Sequence, residues 1–132
     1  MATGQVITNK GRLIMMHRAF TASPTITAPT RFKIGTGTTT PAVGDTDMTT
    51  PVNINGTEFK NFISGFPTLD TTNMIATVRC LVDTTEANGN SLTEFGIINT
   101  DGTPLLLSHA VHTAITKTSS VQTTYIEKDQ VI

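Results

Sequence analysis

Three histidines, one cysteine and ten carboxylates are the residues most able to do chemistry in this chain, and their spacing offers little of it. His109 and His112 invite a metal reading. They lie three apart in a segment with the composition of a strand, where side chains alternate between faces, so the two rings are expected on opposite sides. One ion does not reach both, and each reads as an ordinary core or solvent histidine, the exception being a symmetry axis that gathers one of them from several subunits. His17 stands alone on one face of a short helix. Asp83, Glu86, Asn88 and Asn90 put oxygen ligands in one loop, as calcium sites do, but without the spacing of an EF-hand; polar decoration of a hairpin accounts for them. Gly35 and Gly37 lack the lysine and hydroxyl pair of a phosphate-binding loop and read as turn residues. Asn55-Gly56-Thr57 fits a glycosylation sequon, with no secretion signal to support it. Catalysis needs a nucleophile with a positioned base, or two carboxylates converging on a cleft. Neither is legible, so the expectation is a protein that is not an enzyme, with no catalytic residue, cofactor or metal.

The elements that would position these residues are mostly strands. Near the start, Thr8 can cap a short helix over 8–20 in which Leu13, Met16 or His17, and Phe20 recur at helical spacing, weakened by Gly11. The segment 21–30 contains Pro24 and Pro29 and cannot continue a helix, so it is a connector. Arg31-Phe32-Lys33-Ile34-Gly35 alternates as a half-buried strand does, with Phe32 and Ile34 inward. Further strands are expected at 52–54, 58–62, 74–82, 92–98, 104–111 and 121–127. Turn-forming Asn55-Gly56, Asn88-Gly89-Asn90 and Asp101-Gly102 separate several of them. In the longest, Met74, Ala76, Val78, Cys80 and Val82 share one face while Ile75 and Leu81 fall on the other, which implies a central or interface strand. The fold class is therefore mainly β, an antiparallel β-sandwich with one short N-terminal α-helix, built as a single domain over 1–132 whose sandwich occupies 52–132.

Composition agrees. A chain of 132 residues suits one core. Its charged fraction of 14% and formal net charge of -1 provide no field to attract nucleic acid or an anionic membrane, so neither is expected as a partner. Threonine occurs 28 times, and its branched Cβ suits a pleated, polar, uncharged surface. Cys80 is the single cysteine, so no intrachain disulfide can form, and it reads as buried and inert. Leu13 to Met16 is too short an apolar run for a membrane span.

Between residues 36 and 51 the chain is dominated by Gly, Thr, Pro and Asp. A loop of that length inside a small domain is either functional or ordered by a partner, which makes Thr38, Thr39, Thr40, Pro41, Val43, Asp45, Asp47 and Met48 candidate interaction residues; the alternative reading is a flexible threonine-rich excursion. Glu94, at the mouth of the strand that continues into Phe95, is expected to have a structural role, together with Gly96, Asp101 and Gly102.

Taken in order, Thr8-Asn9-Lys10-Gly11 leading into a short helix, Phe32-Lys33-Ile34-Gly35-Thr36-Gly37, the Pro/Thr/Asp loop, Glu94-Phe95-Gly96-Ile97-Ile98, the turn Asn99 to Gly102 and Ile115-Thr116-Lys117 resemble the N-terminal domain of the tail-collar fibre family of tailed bacteriophages. The resemblance covers most of the chain. It departs from the family in lacking the long fibre shaft and the tryptophan-rich approach to Glu94. It implies a virion structural protein of the tail, baseplate, neck or fibre attachment, assembled in the host cytoplasm, partnered by other virion proteins and by copies of itself. A capsid decoration protein is an alternative. So is a carbohydrate-binding module contacting the host surface, although the chain has no Trp and Tyr125 is its sole tyrosine.

Overall fold

The computed structural model describes residues 4–132. Its elements run β1 (Gly4–Ile7), α1 (Asn9–Phe20), β2 (Arg31–Gly35), β3 (Lys60–Asn61), β4 (Thr68–Asp70), β5 (Ile75–Val82), β6 (Ser91–Ile98), β7 (Leu106–Thr116) and β8 (Thr123–Gln130). They form a five-stranded sheet in the order β1-β7-β6-β2-β3 and a three-stranded sheet in the order β4-β5-β8, every pairing antiparallel. The fold is thus mainly β and sandwich-like with one short helix, as the strand pattern predicts.

Alternation along the strands builds the core. Phe32 and Ile34 of β2, Phe95 and Ile97 of β6 and Leu107 of β7 meet Val78, Cys80 and Val82 of β5 in one apolar cluster. A ladder of rings crosses the interior, Phe32 on Phe95 at 6.1 Å between centroids and Phe95 on Tyr125 of β8 at 4.6 Å. The helix begins where expected. Thr8 accepts from the Gly11 N–H at 2.9 Å and donates its own hydroxyl hydrogen to the Leu106 carbonyl, so one side chain caps α1 and anchors it to β7. Gly11 is required here, not merely tolerated: a Cβ would collide with the Leu107 carbonyl. Ile14 then reaches the core from the same helix.

Three expectations need correction. The sandwich is not confined to 52–132, because β1 and β2 belong to the larger sheet. Val52 and Ile54 are buried, but 52–54 is not a strand, and 58–62 shrinks to the two residues of β3; the Val52 N–H bonds the Ile34 carbonyl at 3.0 Å, and pairing stops there because the chain bends over 54–58. β4 gave no signal because all three of its residues are exposed, leaving no inward apolar face to alternate with a polar one. The central position expected for β5 is observed, with β4 on one side and β8 on the other.

Candidate functional site

β6 is buried almost from end to end because both of its faces are covered. Phe95 and Ile97 point between the sheets. On the opposite face, Ile98 packs with Leu106 and with Met48, a residue of the 36–51 segment. That segment is a third layer laid over the outer face of the five-stranded sheet, and Glu94 holds it down.

The Glu94 side chain is fully buried. One carboxylate oxygen, Oε2, accepts the backbone N–H groups of Gly37 at 2.7 Å and Thr50 at 3.0 Å. The other, Oε1, accepts that of Thr49 at 2.7 Å and lies 2.9 Å from Nε2 of His109. Burial pushes the carboxyl upward, but the Thr50, Thr49 and Gly37 N–H groups and His109 outweigh it and hold Glu94 below its ordinary range. Gly35 and Gly37 make room for this carboxylate: a Cβ on Gly37 would stand 2.6 Å from its Oε2. They are close-approach residues, not turn residues. His109 completes the hub, its Nδ1 lying 2.7 Å from Oδ2 of Asp45. Each ring nitrogen faces a carboxylate oxygen, and both can donate only when the ring carries both protons. Burial tends to raise the Asp45 carboxyl; the Ala42 N–H and His109 lower it overall.

This arrangement sorts the candidate interaction residues. Asp45 is tied to His109 and Met48 and Pro41 are buried, so these three act inside the fold, while Asp47 pairs with Lys33 at 2.5 Å on the surface. Thr38, Thr39, Thr40 and Val43 remain exposed. The loop therefore contributes buried residues, Pro41 and Met48, to the fold. Gly96 lies against Met48 and the Ser108 carbonyl, where a side chain would not fit. Asp101 accepts both the N–H of Thr27 at 3.0 Å and its hydroxyl at 2.9 Å, pinning the connector to the β6–β7 turn. Gly102 has open space around it.

The remaining sequence candidates are engaged by other residues of the fold. His109 and His112 project to opposite faces of β7, as their spacing predicts: His112 receives the Tyr125 hydroxyl at 2.8 Å on the inner side. Glu86 binds the Lys60 ammonium at 2.6 Å and Asn88 that of Lys117 at 2.7 Å, so the oxygen-rich loop serves two lysines. Among the described residues no group of three or more His, Cys, Asp and Glu side chains is arranged to hold a metal ion. Cys80 is buried, and burial together with the nearby Glu127 charge pushes its thiol up, away from the reactive thiolate.

Two features carried no sequence signal. The first is Glu127, buried between the sheets, which accepts from Gln5 at 2.8 Å and from Ser108 at 2.9 Å. Burial, reinforced by the like charge of Asp129, pushes its carboxyl up to about 8. It borders a crevice of about 470 Å³ shared with Gln5, His112 and Tyr125, whose polar groups are already paired with one another. The second is an apolar groove of about 510 Å³ at one end of the sandwich. Ile14 and Met15 of α1 form one wall, and Leu69, Met74 and Val131 the other. No protein family, curated protein or solved structure matches the chain.

Proposed function

We propose that this protein is a structural component of a bacteriophage virion, in the tail, baseplate, neck or fibre-attachment apparatus, and that it acts by protein–protein assembly. The observation that carries the assembly role is the distribution of side chains. Glu86, Glu94, Glu127 and His109 are buried and fasten segments of the fold, whereas Met15, Leu69 and Met74 stand exposed around one groove. Exposed apolar surface of this kind on a rigid scaffold marks a contact site for another macromolecule. The virion setting rests on the ordered motifs from Thr8 to Lys117, with Glu94-Phe95-Gly96-Ile97-Ile98 and its turn as their most specific part. A carbohydrate-binding role has less support, because Tyr125 is stacked on Phe95 and its hydroxyl is engaged by His112. The test is to supply a tagged copy during infection by the encoding phage and to measure its stoichiometry in purified particles by quantitative mass spectrometry. A fixed copy number per particle is expected; exclusion from particles would refute the virion role.

A further inference from the structure

Resting on that assembly reading, we propose that the groove between α1 and the β4–β5 turn is the surface through which two copies of this chain associate, the helix wall of each seating against the sheet wall of the other. Size is the first reason. Met15, Leu69, Met74 and Val131, which line the groove, are 43%, 71%, 55% and 74% exposed. Together they present on the order of 400 Å² of apolar surface, about the apolar share of the ~800 Å² that each partner contributes to a stable interface.

Charge is the second reason, and it selects the partner. The groove carries Arg18 on the helix wall and Asp70 and Asp129 on the opposite wall. Arg18 uses one N–H on the Ile26 carbonyl at 2.9 Å, which leaves the rest of its guanidinium fork available. Each copy therefore displays both halves of an ion pair, one on each wall. A two-fold arrangement places the Arg18 of one copy at the acidic wall of the other and repeats the contact, as an isologous interface requires. A net charge of -1 per chain puts little repulsion in the way.

Backbone strain is the third. Met74 has φ of 57°, in the left-handed region where glycine or asparagine would be at ease. A large unbranched side chain is held there with more than half of its surface in water, and its carbonyl is fixed by the Val131 N–H at 3.0 Å. Strain of this type is retained where the display of the side chain matters. Methionine also adapts its shape to a facing surface.

Sedimentation equilibrium on the purified chain across a range of micromolar concentrations tests the proposal, with Leu69→Glu as the disrupting variant. Leu69 is largely exposed, so the substitution leaves the monomer fold intact, as circular dichroism and the thermal midpoint would verify. The expected result is a parent dimer and a variant whose dissociation constant rises on the order of a hundredfold, the scale of removing a central apolar anchor. Mixing Met15→Cys protein with Leu69→Cys protein should give a disulfide-linked dimer under mild oxidation, since Cys80 is buried and cannot compete. A monomeric parent overturns the proposal, as does a dimer unaffected by Leu69→Glu or a mixture that does not cross-link. Those failures would leave the virion role standing if the chain still enters particles; exclusion from particles with an intact groove dimer would do the reverse.

Discussion

Replacing Glu94 by glutamine isolates the hub under the 36–51 segment, because it preserves shape and removes charge and half of the acceptor capacity. In the parent, four donors share two oxygens: Gly37 and Thr50 on one, Thr49 and His109 on the other. A glutamine retains one oxygen and turns an NH₂ toward the other pair. The less harmful orientation points the NH₂ at Thr49 and His109, where a neutral imidazole can accept, and it still leaves the Thr49 N–H without a partner. An unsatisfied buried donor costs about 1–3 kcal/mol, and the charge-assisted bonds that survive weaken to neutral ones, so the total destabilisation is about 2–5 kcal/mol. For a chain of this size that lowers the thermal midpoint by on the order of 10 °C. Thermal and urea denaturation at pH 7 would measure it, with Glu58→Gln as the control, since Glu58 pairs with Lys33 only at 3.4 Å and is half exposed. The pH dependence has a definite sign. Glu94 is held below its ordinary value of 4.5, so its stabilisation is complete above that pH and is lost as pH falls through the folded value. The gap between parent and variant should therefore narrow in acid. An unchanged midpoint at pH 7, or a gap that widens in acid, would refute the account of the hub.

Glu127→Gln should have the opposite sign. Because the folded carboxyl titrates near 8 and the unfolded one near 4.5, the parent loses stability as pH rises through that window, and the glutamine variant should gain on it by a few kcal/mol between pH 5 and pH 8.5. Urea midpoints at the two pH values decide it; an equal difference at both would discard the idea. Gly37→Ala drives a Cβ to within 2.6 Å of the Glu94 carboxylate and of the Thr49 Cβ and should destabilise by about 2–4 kcal/mol, whereas Gly44→Ala, with nothing within 4 Å, should be near neutral in the same melt. If the two alanines behave alike, the glycine pair is not serving the carboxylate.

What could be read from the sequence was whatever repeats along the chain. β2 announces itself by alternation, β5 by apolar residues on both faces, α1 by its threonine cap, and the turns by Asn-Gly and Asp-Gly. The placement of His109 and His112 on opposite faces follows from parity alone. Glu94 was recognisable as structural from its position at a strand mouth, but its partners were not, because Gly37, Thr49 and Thr50 lie 57, 45 and 44 residues away and contribute only backbone N–H groups. A backbone donor has no residue type to read. The same applies to the loop: a stretch of Thr, Gly, Pro and Asp looks like solvent-exposed chain, and only Met48 hints at the sheet beneath it. The groove was illegible for a different reason, since α1, the β4–β5 turn and Val131 come together only after both sheets have formed.

Three of the four glutamates are buried, in a chain whose charged fraction is only 14%. Glu94 fastens the outer layer to the larger sheet, Glu127 links β8 to β1 and β7 through Gln5 and Ser108, and Glu86 holds Lys60 of β3. A buried carboxylate surrounded by donors is costly to break and has a narrow choice of geometry, so it fixes long threonine-rich segments that carry too few apolar side chains to fix themselves. With acids employed in this way, little charge is left to distinguish one surface from another. The rim of Arg18, Asp70 and Asp129 around exposed methionine and leucine is then the region where a partner could be selected by both shape and sign, and it sits on α1, anchored through Thr8, and on β4 and β8, which flank the core strand β5. The internal carboxylates and the external groove are in this sense one design: polar fastening inside frees apolar side chains to be displayed outside.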